Sequence, residues 1–439
     1  MNKFYTLLLL FLTLSTVNTY AQHGKYVGGD ISLLPSYEAS NTVYLDGQGN
    51  KIPDLITWLK DECGWNTFRV RLFVNPSDTK HEGVVQDLEY VKALGKRIKD
   101  AGGKFMLDYH YSDTWVDATH IQAPAECNGM SVDQKAEWIY TYTKTTLEAL
   151  AQAGAAPDLV QVGNEIMYGF MGIKVAPYDT NGTDWDGYLK VLRQGCQAVR
   201  DASQAQIIIH TDRPCNIGYA NYYYGKLDAS NIPYDIIGLS YYPFWHGWLT
   251  TAQSAATNSN LENALKSFAV KFPTKKVQIV ETAYPIQWWP ESGISYDTRS
   301  VWPVTLGKCD GQYKFVKDLI AELSKHENVN GLMYWFPEEA GNGDAANWTT
   351  YEGVVINSWL NRGLWWPLSS NGHWPLSTSE GMAHYLFKDF LDPNATSVHS
   401  VATPSPASSG SWYTLSGIKV DRPVQKGIYV NGGRKVVRR

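Results

Sequence analysis

The sequence predicts an α/β protein, a (β/α)8 TIM barrel followed by a short C-terminal β-rich tail. Three observations support this fold class. Eight short apolar runs recur along the chain, segments with helical spacing of apolar residues separate many of them, and polar residues cluster where several runs end. Eight alternating β and α units favour a closed parallel barrel, because an open doubly wound sheet usually has fewer strands.

The eight predicted strands combine β-branched and aromatic residues with nearby turn residues. The second, Asn66-Thr-Phe-Arg-Val-Arg-Leu-Phe-Val74, alternates most clearly, and it carries Arg69 and Arg71 on one face. The predicted strands cover 25–30, 66–74, 104–110, 158–165, 206–210, 235–241, 277–281 and 331–336.

Helical segments are predicted where apolar residues recur at helical spacing, and two of them end at glycine. They cover 85–101, 132–153, 185–202, 261–272 and 312–326, and a last helix over 381–390 closes the barrel near residue 391.

Both ends of the chain differ from the barrel. Residues 1–21 have a short basic start, an apolar stretch and small residues before Gln22, which is typical of a signal peptide. The apolar stretch is shorter than the ~20 residues that a spanning helix needs. We therefore expect export to the periplasm, cell surface or medium. The barrel is assigned to 22–391, a Pro- and Ser-rich linker to 392–410, and a small tail of two or three strands to 411–439.

The amino-acid composition limits the classes of molecule that this protein is expected to bind. The net charge of −5 is mild and gives no reason to expect nucleic acid. The 17 Trp and 28 Tyr suit the flat apolar faces of sugar rings, although a Trp-rich core is the alternative. The five Cys fit no metal spacing, and in an exported protein they could pair or remain isolated buried thiols. We expect a polysaccharide partner, no nucleic acid and a monomer.

Two glutamates end predicted strands that face each other across the barrel mouth. Glu165 ends the fourth strand and Glu281 ends the seventh. Active sites of such barrels lie at these strand ends. Glycoside hydrolysis needs one carboxyl group that donates a proton and one carboxylate that attacks or activates water, so the pKa values of the two must differ. The pair predicts a glycosidase, whereas a single strand-end Glu could equally pair with a core Arg.

Other strand-end residues are expected to bind substrate or to support the pair. Arg71 is expected to keep Glu281 ionised, Tyr242 to hydrogen-bond Glu281, and Asn164 to hold the sugar 2-hydroxyl group. Trp335 is the best candidate to stack under the cleavage point. His110 and His246 could in principle be metal ligands, but contacts to substrate or to Glu281 are favoured. The further substrate-binding candidates are Asp108, His110, Asp113 and Trp115.

Several motifs resemble those of glycoside hydrolase family 53, the arabinogalactan endo-β-1,4-galactanases of clan A. The most family-specific is Asp-Tyr-His-Tyr-Ser-Asp-Thr-Trp at 108–115. The others are Gly-Gly-Asp-Ile-Ser at 28–32, Phe-Arg-Val-Arg-Leu-Phe-Val-Asn-Pro at 68–76, Val-Gly-Asn-Glu at 162–165, Ile-Gly-Leu-Ser-Tyr-Tyr-Pro-Phe at 237–244 and Val-Glu-Thr-Ala-Tyr at 280–284. The resemblance covers roughly residues 24–390.

The resemblance implies a retaining endo-hydrolase of pectic β-1,4-galactan, with Glu165 as acid/base and Glu281 as nucleophile. It also suggests Trp115, Trp245, Trp288, Trp289 and Trp335 as stacking residues. Three departures affect subsites rather than chemistry, and one of them is an unusual loop over 288–310. Ala118 stands where the family usually has Pro, and residues 167–171 lack the Trp that commonly follows the acid/base Glu.

No cofactor is expected to be required. Some relatives hold a structural calcium, but this sequence does not support one. The segments 46–50 and 342–344 are weak candidates, and solvated turns are the favoured interpretation of both. The alternative functions are a clan A endo-glycanase acting on mannan or β-glucan, against which the run at 108–115 argues, and a non-catalytic glycan-binding surface protein, against which the glutamate pair argues.

Overall fold

Eight parallel strands close into a barrel in this computed structural model. Each strand pairs with the next along the chain, and the first pairs with the eighth. The strands are Tyr26–Asp30, Thr67–Leu72, Lys104–Tyr109, Leu159–Val162, Gln206–Thr211, Ile236–Ser240, Lys276–Glu281 and Val329–Trp335. All eight predicted strands are confirmed, and so is the fold class.

The structure describes residues 24–77, 83–176, 181–253, 259–286, 301–305, 307–339, 350–351, 354–355, 361–367, 372–392, 412–414, 419–420, 427–431 and 434–438. The predicted signal peptide, nearly all of the predicted linker, Trp288 and Trp289 lie outside these residues. Within them, no helix is both long and apolar enough to cross a membrane.

The described helices surround the barrel, and polar side chains fix where several of them begin. Asp87, Ser131 and Asn260 each accept a hydrogen bond from a backbone N–H of the first turn, which stabilises a helix start by about 1 kcal/mol. The α-helices are Leu34–Ala39, Leu55–Asp61, Leu88–Asp100, Val132–Gln152, Trp185–Ala202, Ile217–Ala229, Pro243–His246, Leu261–Lys271, Asp310–Leu323 and Phe387–Leu391.

Three helix predictions need correction, and the helix predicted over 312–326 covers Asp310–Leu323 instead. The helix predicted from residue 85 begins at Leu88, because the Asp87 carboxylate caps it. The helix predicted over 381–390 is wrong at its start. Gly381 has a φ of 131° and pairs with Thr378 in a two-stranded ladder, so the helix forms only over Phe387–Leu391.

The C-terminal segment forms a small sheet of four short strands rather than two or three. They are Trp412–Thr414, Lys419–Val420, Gly427–Asn431 and Arg434–Arg438, all paired antiparallel. All five Cys lie among the described residues. Each is buried, and none forms a disulfide.

The barrel interior is layered. Seven apolar side chains, one from every strand except the second, pack together in its lower part. They are Tyr26, Met106, Leu159, Ile208, Ile236, Val280 and Met333. Side chains two positions further along a strand point to the same face. The interior therefore changes from apolar to polar toward the C-terminal ends of the strands.

Candidate active site

Buried polar side chains fill the upper layer of the barrel. Asp108 lies two residues after Met106 on the third strand, Gln161 two after Leu159 on the fourth, and His210 two after Ile208 on the fifth. All three polar side chains are fully buried. Such a layer is unusual below a barrel mouth unless the groups position chemistry.

Glu165 enters this layer through a backbone kink. The fourth strand ends at Val162, Gly163 has a φ of 89°, and Glu165 itself has a φ of 47°. A Cβ on Gly163 would lie 2.6 Å from Ile166 Cγ2, so glycine is required there on two grounds. A non-glycine residue in the left-handed region is uncommon outside functional sites.

Glu281 is directed into the site by a β-bulge. The ladder between the sixth and seventh strands pairs Leu239 with Ile279 and then Ser240 with Glu281, so Val280 has no partner in that register. The extra residue lets Val280 remain in the apolar layer while Glu281 faces the mouth. Bulges of this kind re-aim side chains next to active sites.

The two glutamates lie close together and share a neighbour. One carboxylate oxygen of Glu165 lies within 4.8 Å of one carboxylate oxygen of Glu281. The Ser240 hydroxyl contacts Glu165 Oε1 at 2.6 Å and Glu281 Oε2 at 3.5 Å. His210 Nε2 lies 2.8 Å from the same hydroxyl. Burial and the Arg69 charge hold the pKa of His210 well below its usual range, so His210 is a neutral, fixed partner of Ser240.

Arg69 is the electrostatic centre of the site. Its Nη2 lies 2.9 Å from Glu281 Oε1 and 2.7 Å from Asp108 Oδ2, and its Nη1 lies 2.8 Å from Asp30 Oδ2. The Arg69 side chain is only 1% exposed. A buried guanidinium surrounded by three carboxylates offsets part of their negative charge and fixes the position of Glu281.

The surroundings of the two glutamates give them different pKa values, as acid/base catalysis by a carboxyl pair requires. Burial raises the pKa of Glu165 well above its usual range, and the negative charge of Glu281 raises it further. Burial also raises the pKa of Glu281, to about 7, while the Arg69 cation and a hydrogen bond from Tyr242 oppose that rise. Glu165 therefore holds its proton to higher pH than Glu281, which makes it the donor of the pair.

We expect Arg69→Met to destabilise the protein by about 3–5 kcal/mol, because breaking a buried ion pair leaves uncompensated charges. Three carboxylates, of Asp30, Asp108 and Glu281, would lose their shared cation. Denaturant unfolding followed by tryptophan fluorescence measures the change. Arg97→Met is the matched control, because Arg97 pairs with Glu38 and Asp54 at 30% exposure and should cost ~1 kcal/mol or less. Equal losses in the two variants would contradict the central role of Arg69.

Arg71 does not have the predicted contact with Glu281. Its guanidinium lies between the rings of Trp115 and Phe336, 4.6 Å from each ring centre, and its Nη1 pairs with Asp30 Oδ1 at 3.1 Å. Both arginines point inward as predicted, but Arg71 contacts Asp30 and the two aromatic rings and not the glutamate pair. The prediction for Arg71 is corrected: Arg69 is the cation beside Glu281.

Three residues of the 108–115 run have mainly supporting contacts. Asp108 binds Arg69. His110 Nδ1 accepts a hydrogen bond from the Val116 backbone at 3.0 Å, and its Nε2 lies 3.3 Å from Asp108. Asp113 accepts from the backbone N–H groups of residues 75 and 125 at 3.0 and 2.7 Å, so both its oxygens hold loops together.

The other predicted residues line the mouth. Tyr242 donates a hydrogen bond to Glu281 Oε2 at 3.1 Å, as the sequence predicts. Asn164 Nδ2 donates to Val116 O at 2.7 Å, which uses one of its two amide N–H groups. The Trp335 ring is 7% exposed and meets Trp115 edge to face at 6.2 Å. Trp245 is 62% exposed beside Tyr242.

Five residues of the site were not proposed from the sequence: Asp30, Arg69, Gln161, His210 and Ser240. Arg69 was noticed on the correct face, and Asp30 and Ser240 stand inside the quoted motifs. Alternation from the ends of the strands would have located Gln161 and His210, because both lie on the inward face.

The predicted absence of a metal site stays a prediction. One ligand atom each of Glu165, His210 and Glu281 lies within 4.8 Å of the others, yet Ser240 already bridges this group. The weak calcium candidate at 46–50 is a closed turn. Both backbone N–H groups of Gln48 and Asn50 donate to Asp46 Oδ1 at 2.8 Å. The candidate at 342–344 lies outside the described residues.

Known proteins resemble this chain in sequence. The sequence model described as glycosyl hydrolase family 53 matches residues 26–365. An arabinogalactan endo-β-1,4-galactanase of Cellvibrio japonicus is 33% identical over 324 residues, covering 71% of this chain and 80% of that protein. An arabinogalactan endo-β-1,4-galactanase A of Emericella nidulans is 31% identical over 368 residues, covering 81% and 95%.

Solved structures show the same likeness. A structure of fungal β-1,4-galactanases has a TM-score of 0.65 at 28% identity, covering 83% of this chain and 99% of that one. The family 53 catalytic domain of Ignisphaera aggregans has a TM-score of 0.67 at 25% identity, covering 83% and 96%. Together with the family match over most of the barrel, these likenesses show that the chain is a glycoside hydrolase and belongs to glycosyl hydrolase family 53.

Proposed function

We propose that this protein is an exported, monomeric endo-β-1,4-galactanase that hydrolyses the β-1,4-galactan of pectic rhamnogalacturonan I by a retaining double displacement. The observation that supports the mechanism best is the glutamate pair, with one carboxylate oxygen of Glu165 within 4.8 Å of one of Glu281. Retaining glycosidases hold their two carboxyl groups about 5–5.5 Å apart, whereas inverting ones need roughly 6.5–9.5 Å to admit water. The substrate class is taken from the names of the relatives, which are galactanases.

In the first step, Glu281 attacks the anomeric carbon of the sugar that occupies the site. The bond between that carbon and the glycosidic oxygen breaks, and Glu165 gives its proton to the departing oxygen. Arg69 and Tyr242 orient the Glu281 carboxylate for attack, since they contact its two oxygens at 2.9 and 3.1 Å. The product of this step is a glycosyl ester on Glu281.

In the second step, a water molecule attacks the same carbon from the side that the leaving group vacated. Glu165, now a carboxylate, removes a proton from this water, and Glu281 leaves as a carboxylate. Ser240 stays hydrogen-bonded to Glu165 at 2.6 Å and limits its rotation. Both glutamates return to their starting protonation states.

The substrate is tested with purified protein on β-1,4-galactan, mannan and carboxymethylcellulose, following reducing ends and product size. The proposal requires rapid release of galacto-oligosaccharides from galactan alone. Cleavage of mannan or cellulose instead would overturn the galactanase assignment while leaving the glutamate pair in place. Binding without cleavage of any of the three would favour a glycan-binding protein.

A further inference from the structure

Asp212 lies at the barrel mouth and has no part in the mechanism described so far. It directly follows the fifth strand, Gln206–Thr211, and comes two residues after His210. Because His210 points into the barrel, the alternation of side chains directs Asp212 to the same side, one step nearer the mouth. The fifth strand pairs with the fourth, and Glu165 follows the end of the fourth strand by three residues.

The Asp212 carboxylate is buried, and only one of its two oxygens has a hydrogen-bond partner among the described residues. Its side chain is 9% exposed, and Oδ2 pairs with Arg213 Nε at 3.1 Å. Among the described residues, none donates a hydrogen bond to Oδ1, although that atom is buried. Buried polar atoms are nearly always hydrogen-bonded, so one without a protein partner indicates a group that arrives from outside.

Asp212 is electrostatically linked to the proton donor. Its negative charge is, after burial and the charge of Glu281, the next cause that raises the pKa of Glu165. Arg213 is also close enough for Glu165 to act on its pKa. The side chains that contact the Glu281 carboxylate are Arg69 on the second strand, Ser240 at the end of the sixth strand and Tyr242 just after it.

This placement distinguishes the two sides of the cleavage point. Glu165 protonates the glycosidic oxygen that departs, so the sugar carrying that oxygen lies on the Glu165 side. Arg213, whose side chain is 53% exposed, extends this side and lies 5.4 Å over the Tyr168 ring. The Arg213 guanidinium can donate several hydrogen bonds, and the neighbouring Asp212 Oδ1 can accept one. Together they suit a sugar, which carries several hydroxyl groups that both donate and accept.

We propose that Asp212 belongs to the acceptor subsite: its Oδ1 accepts a hydrogen bond from a ring hydroxyl group of the leaving sugar and positions that sugar for protonation by Glu165. The inference rests on the proposed function. It assigns to the chain a residue that recognises the leaving group and not the sugar that becomes attached to Glu281.

Asp212→Ala tests this with two substrates, galactan and an aryl β-galactobioside, of which only galactan places a sugar in the acceptor subsite. We expect kcat/KM on galactan to fall by about 10- to 100-fold, as for loss of a hydrogen bond to a charged group. An aryl β-galactobioside has no sugar in the acceptor subsite, so its kcat/KM should stay within about threefold of the parent. Asp212→Asn, which keeps the size and one oxygen, should show the same selectivity with a smaller loss.

Asp228→Ala is the matched control, since Asp228 lies on an outer helix and accepts from Tyr234 OH at 3.0 Å. It should leave both substrates unchanged. Equal losses on galactan and on the aryl substrate, or no loss on either, would overturn the acceptor role of Asp212. Failure of the unaltered protein to cleave galactan is a separate outcome, which would overturn the proposed function and the inference that depends on it.

Discussion

Glu281→Ala is expected to lower kcat on galactan by at least about four orders of magnitude, in the range seen when a covalent nucleophile is removed from a hydrolase. Without this carboxylate the glycosyl ester cannot form, and Arg69 and Tyr242 no longer have a nucleophile to position at the anomeric carbon. Azide should restore cleavage of an activated aryl galactoside, because it fits the space that the carboxylate leaves. The azide attacks from the vacated face, so NMR should identify the α-galactosyl azide.

The fold should survive this change, because Arg69 keeps its ion pairs with Asp30 and Asp108. Circular dichroism checks that the variant is folded. Glu262→Ala serves as a control, since Glu262 pairs with Lys266 on an outer helix. A folded Glu281→Ala variant with more than a few per cent of the parent activity would show that another group is the nucleophile.

Glu165→Ala is expected to lower kcat/KM on galactan by about 10²–10⁴-fold, the usual contribution of a general acid or base. A sugar alkoxide leaves poorly without a proton, whereas a dinitrophenolate leaves readily. The first step should therefore persist on a dinitrophenyl galactoside, and the slow second step should produce a burst of dinitrophenol. Azide should accelerate turnover and give the β-galactosyl azide.

The pH dependence of activity, compared between the parent and Glu165→Ala, provides a second test of Glu165 as the proton donor. Glu281 must be ionised, so activity should rise as pH passes the pKa of about 7 that burial gives it. Glu165 must be protonated, so activity should fall as pH passes its pKa, which burial raises well above the usual range. The alkaline limb should vanish in Glu165→Ala assayed with the dinitrophenyl substrate. An unchanged alkaline limb would assign the proton donor to another residue.

Much of the fold could be predicted from the sequence because barrel strands are short apolar runs with local signals. The helix Ile217–Ala229 was missed, since its run of Tyr, Gly and Asn gives weak amphipathic spacing and low helix propensity. Its start depends on Asn216, whose side chain accepts from Tyr219 N. The four-stranded C-terminal sheet also shows how short strands without clear alternation are undercounted.

In the site, the positions of Glu165 and Glu281 followed from the ends of the strands. Their precise aim did not, because it depends on the left-handed φ of Glu165 and on a bulge at Val280 that periodicity does not show. The choice between Arg69 and Arg71 was equally beyond the sequence. Both face inward, and in the structure Arg71 pairs with Asp30 and lies against the rings of Trp115 and Phe336, not beside Glu281.

The most direct test of the account is to trap the covalent intermediate. A dinitrophenyl 2-deoxy-2-fluoro-β-galactoside reacts in the first step but slows the second, so the enzyme should accumulate as a glycosyl ester. Peptide mass spectrometry should then place one fluorosugar on Glu281, and none in Glu281→Ala. A label on any other residue, or turnover of galactan with no label that can be trapped, would contradict the assignment of Glu281 as nucleophile and Glu165 as acid/base.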